Sequence, residues 1–365
     1  MAQEGPDPTA TELLSLLPRS PGIYPQKIDV VGLSVLLLAL EPGAYLAASF
    51  LDDRMLGPQL KGAWVSLDEM MAASSSEIPA RPLHFIFHTG HVGSTLVSRL
   101  LDETGSVLSL REPLPLRTFA DVHDALAGPD SLFSRQQFEH VLNSFLRLWS
   151  RGYEATHSVI VKATSSAGRL AVPILARAER SRAIYLNLRP EPYLTAVLAG
   201  QNSIFDLRGH GPERMRRLQA RLAAPLPCPL YEMSPGQLAA LSWLAESWCQ
   251  REAGRQFGNR VFALDFDVFL SAIDENLDRI LRHFELPGDD LLAAKIARSP
   301  VLMHYSKAPE YAFTREDRAE MLRESRSLNR EEIRQGMHWL ERLAGSDGTA
   351  AEIISAACAD DRAAS

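Results

Sequence analysis

Two glycines and two adjacent hydroxyl residues follow a short apolar run, and this pattern can bind an anion. The run is Leu83–Phe87, and the residues after it are His88, Thr89, Gly90, His91, Val92, Gly93, Ser94 and Thr95. Gly90 and Gly93 allow the backbone to approach an anion closely and to adopt positive φ. Ser94 and Thr95 would then open a helix, whose free N–H groups and positive dipole end favour a phosphate. The pattern predicts a phosphate-binding loop between a buried strand and a helix.

The loop differs from the one that ATP and GTP hydrolases use. Their loop, G-x-x-x-x-G-K-[ST], carries a lysine that reaches the β- and γ-phosphates. Here Ser94 follows Gly93 in the place of that lysine, and the spacing between the two glycines is two residues shorter. An ATP or GTP hydrolase is therefore disfavoured. The alternative interpretation is a tight strand-to-helix turn that binds no ligand.

Polar residues close four of the predicted strands, and parallel strands would bring them to one edge of a sheet. They are His88, Arg111 with Glu112, Lys162 and Arg189. In an open parallel sheet, ligands bind at the carboxyl ends of the strands. We therefore expect these side chains to line one crevice, with His88 orienting the loop.

Short apolar runs alternate with helical segments from Leu83 onward. The later predicted strands are 106–110, 158–161, 182–188 and 260–265, and the predicted helices include 136–149, 170–180, 235–255 and 274–284. Such alternation predicts a parallel sheet with helices on both faces. The expected fold class is α/β. It would be a P-loop-type three-layer α/β/α domain with a central parallel sheet, a small N-terminal α/β appendage and a helical C-terminal region.

We place the domain boundaries near residues 80 and 345. Residues 1–80 would form an N-terminal extension and the appendage, with a strand over Leu33–Leu40 and a helix over Pro42–Met55. Residues 81–345 would form the α/β domain, and 346–365 a flexible tail. Within the domain, the arginine-rich run Arg214–Arg221 is expected to be a solvated helix face or loop.

The composition is that of a soluble globular protein and limits the expected partners. Apolar residues make up 46% and charged residues 23% of the 365 residues, which is ordinary for a chain that buries a full core. The net charge of −7 argues against a nucleic-acid partner, because such proteins usually carry a basic excess. The most apolar stretch, Val30–Leu51, is interrupted by Glu41, Pro42 and Gly43. A membrane span needs ~20 continuous apolar residues, so no membrane partner is expected.

The cysteines and the N-terminus predict a cytoplasmic location. Cys228, Cys249 and Cys358 are widely spaced, which fits a reducing compartment and disfavours a disulfide framework or a cysteine-based zinc site. The first residues lack the basic and apolar regions of a signal peptide. The histidines show neither HxH nor HExxH spacing, so no metal is expected. Only five of the 38 basic residues are lysines, which weakly favours a GC-rich bacterial source.

Three segments resemble the sulfotransferase superfamily that uses 3′-phosphoadenosine 5′-phosphosulfate (PAPS). The first is similar to that family's 5′-phosphosulfate loop and reads FIFHTGHVGSTLVSRLLDETG. The second is similar to its 3′-phosphate segment, a strand that ends in arginine before a helix, and reads AIYLNLRPEPYLTAVLAG. The third resembles a late strand-and-helix segment and reads VFALDFDVFLSAIDENLDRILRHFELP. Together they cover about residues 83–290 in spaced segments.

The resemblance implies PAPS as a co-substrate, and no metal. Gly90, Gly93, Ser94 and Thr95 match the loop that binds the 5′-phosphosulfate. Arg189 matches the arginine that binds the 3′-phosphate, and the alternative for it is an ion pair with the neighbouring Glu191.

Two departures from the family pattern concern the rest of the cofactor site. A serine is expected eight residues after the 3′-phosphate arginine, and that position is Val197. Thr195 or Ser203 would have to take its role. The family's Gly-rich, basic C-terminal segment is not recognisable, and Lys307 or Arg315 would have to stand in for it.

The candidate catalytic residues are Glu112, His91 and Lys162. Glu112 is the candidate base, because some carbohydrate sulfotransferases place a catalytic Glu in a similar location; its alternative is a salt bridge with an arginine. His91 stands where the family carries Lys or Arg, and would protonate the bridging oxygen or replace Glu112 as base; its alternative is a hydrogen bond to the backbone. Lys162 would contact the sulfonate or the bridging oxygen, and its alternative is a solvated lysine at a strand end.

The expected function is sulfonate transfer from PAPS to a hydroxyl or amine of a small-molecule or carbohydrate acceptor. A P-loop kinase or other phosphotransferase using ATP and Mg²⁺ is an alternative, for which Asp265 and Asp267 are the suggestive carboxylates. A non-catalytic nucleotide-binding protein is another, suggested by His91 and by Val197. The acceptor and the oligomeric state are left open.

Overall fold

Strands and helices alternate along most of the chain in the computed structural model, which describes residues 8–75 and 80–359. The strands are β1 Ile23–Asp29, β2 Ser34–Ala39, β3 Lys61–Ser66, β4 Leu83–His88, β5 Val107–Arg111, β6 Ser158–Lys162, β7 Ala183–Asn187 and β8 Val261–Asp265. The helices are α1 Ala10–Leu16, α2 Pro42–Ala47, α3 Leu67–Ser74, α4 Ser94–Asp102, α5 Leu114–Ala125, α6 Arg135–Trp149, α7 Ala171–Arg177, α8 Pro190–Leu198, α9 Ser203–Gln219, α10 Pro235–Phe257, α11 Phe266–Ser271, α12 Ile273–His283, α13 Leu292–Ile296, α14 Arg315–Leu328, α15 Arg330–Ser346 and α16 Gly348–Ala359. None of the helices in the described part of the chain combines the length and the apolar character that a membrane crossing requires.

A central sheet of five parallel strands carries the fold, with the order β5-β6-β4-β7-β8. Helices flank the sheet, and the predicted P-loop-type α/β arrangement is confirmed. Every residue of β4 is buried, as expected for a strand covered on both faces. In the parallel register, Lys162 of β6 lies opposite both Ile86 of β4 and Arg111 of β5.

The described residues divide into two compact units. The first lies within Met1–Ile86, Thr95–Ala183 and Asp274–Ser299, and the second within Phe87–Ser94, Ile184–Ile273 and Pro300–Ser365. The first unit includes a second sheet, in which β2 pairs in antiparallel fashion with β1 on one side and β3 on the other. Residues 1–7, 76–79 and 360–365, which belong to the predicted extension and tail, lie outside the described residues.

A buried arginine attaches the N-terminal segment to the rest of the first unit. The guanidinium of Arg151 donates hydrogen bonds to the main-chain carbonyls of Leu17, Ser20 and Ile23. Arg151 is only 4% exposed, and burial lowers the pKa of this guanidinium to about 10. A buried cation is tolerable only when its donors are satisfied, so these carbonyls hold the start of the chain in one place.

The segment predicted as one helix over Pro42–Met55 differs in the structure. Helix α2 ends at Ala47, and a separate 3₁₀ turn forms at Asp53–Met55. Between them the N–H of Leu51 donates to the carbonyl of Arg111 at 2.7 Å. This long-range hydrogen bond gives the N–H of Leu51 a partner outside the helix, at a point where helical periodicity predicted a continuous turn.

Helix α16 occupies most of the segment that the sequence predicted to be a flexible tail. Asp347, which precedes it, accepts hydrogen bonds from the N–H groups of Thr349 and Ala350. Its other carboxylate oxygen accepts the N–H of Ala223 at 2.8 Å. The same side chain therefore starts the helix and attaches it to the second unit.

Helix α10 is the core of the second unit and crosses α15 closely. It begins with a capping box, in which Ser234 and Gln237 satisfy each other's main-chain N–H groups. Gly236 lies so near α15 that a Cβ atom there would be 1.8 Å from the carbonyl oxygen of Glu332. The indole of Trp243 is fully buried and donates to the carbonyl of Leu188 at 2.8 Å.

The prediction of a solvated arginine face on α9 is wrong for two of its residues. Arg214 and Arg217 are buried, because α9 packs on α10 at that point. Nη2 of Arg217 lies 2.7 Å from Oε1 of Glu246, and Nε of Arg214 lies 3.4 Å from the same oxygen. Arg216 and Arg221 are exposed as expected. The buried ion cluster could not be read from the run itself, because Glu246 comes from another helix.

The close crossing of α10 and α15 can be tested by replacing Gly236 with alanine. The added methyl would overlap a main-chain carbonyl that cannot rotate away, so we expect Gly236→Ala to lower the free energy of unfolding by about 1–3 kcal/mol. Gly254→Ala is the matched control in the same helix, since nothing lies within 4 Å of its Cβ position. It should gain up to ~1 kcal/mol from helix propensity. Urea denaturation of both variants measures the difference, and equal effects would contradict the crossing.

Candidate functional site

The loop after β4 has the backbone conformation that the glycine pattern predicts. Gly90 has a φ of 98° and Gly93 a φ of 65°, values that glycine adopts without steric cost. The N–H of Gly90 donates to Nδ1 of His88 at 3.1 Å. His88 therefore holds the loop from the buried end of the strand, as predicted.

Buried hydroxyl groups line this loop. Ser94 and Thr95 open α4 and are buried, and so is Thr89 at the start of the loop. Within the described ranges, neither Oγ1 of Thr89 nor Oγ1 of Thr95 has a hydrogen-bond partner. A buried hydroxyl without a partner costs ~1–3 kcal/mol, and the first N–H groups of a helix also lack intrahelical partners. An anion at the start of α4 would satisfy both, so these residues fit a phosphate or phosphosulfate group.

His91 lies at the exposed tip of the loop. Its φ of 55° is positive, an uncommon conformation for a residue other than glycine, although histidine is enriched there. The side chain is exposed. Backbone strain of this kind concentrates at functional sites, and the exposed imidazole does not fill the core.

An aromatic ring from α11 packs directly on the loop. A Cβ atom at Gly93 would lie 2.0 Å from Cζ of Phe266, so only glycine fits this position. Phe266 stacks on Phe269 with ring centroids 6.0 Å apart. The guanidinium of Arg318 lies 5.2 Å from the centroid of the Phe266 ring and pairs with Asp267 at 2.8 Å. The loop is thus supported by a layer that α11 and α14 build.

Arg189 lines a pocket next to α11. The pocket has a volume of about 220 Å³, and its lining consists of Asn187, Leu188, Arg189, Asp265, Asp267, Val268, Ser271 and Ala357. The N–H of Arg189 donates to Oδ2 of Asp265 at 3.2 Å. Glu191 lies 3.4 Å from Arg326, and an ion pair between Arg189 and Glu191 stays the predicted alternative. Arg189 therefore borders a cavity large enough for part of a small ligand.

The two carboxylates after β8 already have other roles. Oδ1 of Asp265 accepts the N–H groups of Asp267 and Val268 and so caps α11. Burial raises the pKa of Asp265, and the hydrogen bonds from main-chain N–H groups oppose that rise. Asp267 forms the ion pair with Arg318. Among the residues that the structure describes, no cluster of three or more His, Cys, Asp or Glu side chains could hold a metal ion.

Thr195 and Ser203, the predicted substitutes for the missing serine, differ in availability. Thr195 is buried, and its hydroxyl donates to the carbonyl of Glu191 at 2.9 Å within α8. Ser203 begins α9, and in the described structure its buried hydroxyl has no hydrogen-bond partner. Val197 is 1% exposed and belongs to the core. Ser203 is therefore the better of the two candidate donors.

Glu112 and Lys162 form an ion pair within the first unit. Nζ of Lys162 contacts Oε1 of Glu112, and the N–H of Glu112 donates to the carbonyl of Lys162 at 2.6 Å. Lys162 is 1% exposed in its side chain and Glu112 is 12% exposed. The alternative of a solvated lysine is wrong. The salt-bridge alternative for Glu112 holds, with a lysine as the closer partner.

Arg111 is not a crevice residue, contrary to the expectation from its place at a strand end. Its guanidinium is fully buried and donates to the carbonyls of Tyr45 and Ala48 and to Oγ of Ser98. It also pairs with Asp102. Burial lowers the pKa of Arg111 to about 9. Its side chain points away from the strand end into the packing between α4 and the N-terminal segment.

Several residues of this region were not singled out by the sequence. Tertiary structure brings four of them to the loop or to the candidate residues: Thr89, Phe266, Arg318 and Arg54. Thr89 could have been found from its place between His88 and Gly90, whereas the others carry no local signal. Arg315, a predicted stand-in for a basic C-terminal segment, donates to the carbonyl of Leu270 at 2.6 Å. Lys307 lies in the turn before α14.

Similar solved structures come from sulfotransferases. A sulfotransferase domain from the curacin biosynthetic pathway is 15% identical, with a TM-score of 0.36, and the match covers 64% of this chain and 83% of that one. Mouse sulfotransferase SULT7A1, complexed with PAP, is 12% identical, with a TM-score of 0.39 and coverages of 80% and 96%. Sulfotransferase STF9 from Mycobacterium avium is 13% identical, with a TM-score of 0.36 and coverages of 88% and 96%.

The sulfotransferase superfamily, which three segments of the sequence resemble, is also the one from which these solved structures come. Comparison of the sequence with models of known families gave no match, and comparison with curated proteins gave none either. The activity proposed below therefore rests on the residues of the site.

The contact between Gly93 and Phe266 can be separated from backbone strain by a matched pair of variants. Gly93 and Gly105 have nearly the same φ, 65° and 68°, but nothing lies within 4 Å of a Cβ atom at Gly105. We expect Gly105→Ala to cost about 1–2 kcal/mol of stability from the backbone alone. Gly93→Ala should cost a further 1–3 kcal/mol or so from the overlap with the ring.

Urea denaturation measures both variants, and the double variant Gly93→Ala with Phe266→Ala checks the cause of the excess. If the ring is responsible, the excess shrinks in the Phe266→Ala background. Equal losses for the two glycine variants would show that Phe266 does not press on the loop.

Proposed function

We propose that this protein is a sulfotransferase that transfers a sulfonate group from PAPS to a hydroxyl or amine of a small-molecule or carbohydrate acceptor. The observation that carries the proposal is the loop after β4, which combines positive-φ glycines with buried hydroxyls in need of partners at the start of a helix. Ser94 occupies the place where a nucleotide hydrolase has its lysine. The loop thus suits the less highly charged phosphosulfate better than a triphosphate.

Each part of the loop has a proposed role toward the bound phosphosulfate. PAPS supplies the sulfonate, and its bisphosphate product is the leaving group. Gly90 and Gly93 admit the anion close to the main chain, and Ser94 and Thr95 donate hydroxyl and main-chain hydrogens to it. His91, at the loop tip, would protonate the bridging oxygen as the bond to sulfur breaks. Such positioning and electrostatic stabilisation supply most of the acceleration in related transfer reactions.

Glu112 is the proposed base for the acceptor. Its carboxylate has about four acceptor sites, and Lys162 occupies one oxygen, Oε1. The other oxygen, Oε2, can accept the proton that leaves the acceptor hydroxyl as the new oxygen–sulfur bond forms. Lys162 would then have two roles. It holds Glu112, and it places a positive charge at the strand end where the sulfonate is transferred.

Arg189 and Ser203 are the proposed ligands of the 3′-phosphate, and the pocket beside Arg189 supports this role. Arginine binds phosphate as a bidentate fork, and Ser203 offers a buried hydroxyl that lacks a partner in the described structure. Thr195 donates its hydroxyl proton to the carbonyl of Glu191, so it would have to give up that hydrogen bond before it could donate to a phosphate. We therefore propose Ser203 as the main substitute for the serine that Val197 replaces.

The alternative of a Mg²⁺-dependent kinase is less well supported. It would need carboxylates that are available to bind the metal ion. Asp265 caps α11 and Asp267 pairs with Arg318, so recruiting either would break an existing interaction. A nucleotide-binding protein without activity would have the same loop. It would differ in that no sulfonate is transferred and Glu112 does not act as a base.

The choice of nucleotide is tested by thermal denaturation with 3′-phosphoadenosine 5′-phosphate or with ATP and Mg²⁺. We expect the bisphosphate alone to stabilise the protein, by about 2.7 kcal/mol at a hundredfold excess over its Kd. Arg189→Ala should weaken that binding about 10- to 100-fold, because a hydrogen bond to a charged group is worth ~1.5–3 kcal/mol. Arg326→Ala, which removes an exposed arginine that pairs with Glu191, is the matched control and should bind normally. Stabilisation only by ATP with Mg²⁺ would establish the kinase alternative, and no response to either nucleotide would refute nucleotide binding.

The role of Glu112 is tested by the variant Glu112→Gln. Glutamine keeps the shape and a hydrogen bond to Lys162 but cannot accept a proton, so turnover should fall about 10²–10⁴-fold. The Kd for 3′-phosphoadenosine 5′-phosphate should stay within about twofold, since the loop is unchanged. Radiolabelled sulfonate transfer to a panel of hydroxyl and amine acceptors measures turnover. Full turnover with normal nucleotide binding would exclude Glu112 as the base and leave His91 in that role.

A further inference from the structure

A segment from the N-terminal part of the chain runs alongside the residues that carry Glu112. The N–H of Leu51 donates to the carbonyl of Arg111 at 2.7 Å, and the N–H of Leu114 donates to the carbonyl of Leu51 at 3.4 Å. These hydrogen bonds bracket Glu112 on both sides in the sequence. Residues 50–54, which we call the docking segment, are therefore positioned by main-chain contacts next to the candidate base.

The docking segment includes Arg54, whose side chain is held in one orientation by several contacts. Nε and Nη2 of Arg54 bind the carboxylate of Asp52 as a fork, with distances of 2.9 Å to Oδ1 and 2.6 Å to Oδ2. The guanidinium carbon lies 3.3 Å from the centroid of the Phe50 ring. Nη2 of Arg54 lies 3.7 Å from Oε2 of Glu112. A carboxylate and an aromatic face thus fix one flexible side chain against the outer oxygen of Glu112.

Stability alone does not account for this arrangement. The Arg54 side chain is 55% exposed, and exposed ion pairs contribute only ~0–1 kcal/mol. Asp52, in contrast, is 7% exposed, so the segment buries a carboxylate in order to orient an exposed guanidinium. Burial alone would raise the pKa of Asp52, but its hydrogen bonds to Arg54 and the charges of Arg54 and Arg117 lower it below its ordinary value.

We propose that Arg54 is a positioning residue for Glu112, so that the N-terminal part of the chain completes the catalytic site; this inference rests on the function proposed above. Glu112 is held between two cations that come from different places. Lys162 of β6 binds Oε1 from the buried side, and Arg54 faces Oε2 from the solvent side. The acceptor hydroxyl reaches Oε2 beside the guanidinium, which keeps the carboxylate oriented for proton transfer.

The test uses the full chain and two independent measurements on Arg54→Ala. The first is the rate at which a water-soluble carbodiimide modifies Glu112, followed by peptide mass spectrometry. It should rise several-fold, because the guanidinium no longer covers Oε2. The second is sulfonate transfer, in which kcat should fall at least tenfold while KM for PAPS stays within about twofold. Arg54→Lys keeps the charge without the fork, and should recover part of the lost kcat.

Lys27→Ala is the matched control in the same part of the chain. Lys27 pairs with Asp53 at 3.0 Å, next to Arg54 in sequence, and has no part in the proposed site. It should leave both the labelling rate and kcat unchanged. The same loss of kcat in Lys27→Ala and Arg54→Ala would show a general effect of disturbing the segment, and would overturn the inference.

The two measurements separate failure of this inference from failure of the proposed function. If the wild-type protein transfers no sulfonate but Arg54→Ala speeds labelling of Glu112, the contact is established and the proposed function, with the positioning role that depends on it, is wrong. If the wild-type protein transfers sulfonate and Arg54→Ala changes neither the labelling rate nor kcat, the inference alone is wrong.

Discussion

Burying a positive charge is expensive, and in the first unit that cost determines what surrounds each buried cation. Arg111 and Arg151 satisfy their donors largely with main-chain carbonyls from the N-terminal segment. Lys162 satisfies its charge with Glu112. Removing one partner from such an arrangement leaves an uncompensated charge, which costs several kcal/mol. These hydrogen bonds connect the N-terminal segment, which includes Arg54, to the rest of the first unit.

The loop after β4 obeys a different constraint, which is space. Gly93 has room for a hydrogen atom only, because Phe266 occupies the volume where a side chain would begin. Asp265, just before Phe266, caps α11 and accepts the N–H of Arg189. Within the second unit, the start of α11 therefore contacts both the loop and the residue after β7 that the sequence predicted to bind phosphate.

The sequence predicted the structural features that depend on neighbouring residues. The strand, the glycines and the helix start at Ser94 could be read from the sequence, because each follows from neighbouring residues. The direction of a side chain at a strand end could not. Arg111 turns into the protein and Glu112 turns toward Lys162, although Arg111 ends β5 and Glu112 is the next residue. Arg214 was likewise predicted to be solvated, because its partner Glu246 lies on a different helix.

The three carbonyls that Arg151 binds also bear on what removal of the N-terminal segment would do. The carbonyl of Leu148 would remain as an acceptor, and the donors that Leu17, Ser20 and Ile23 satisfy would become accessible to water. A chain that began after Ile23 would therefore exchange three buried hydrogen bonds for hydrated ones at this arginine.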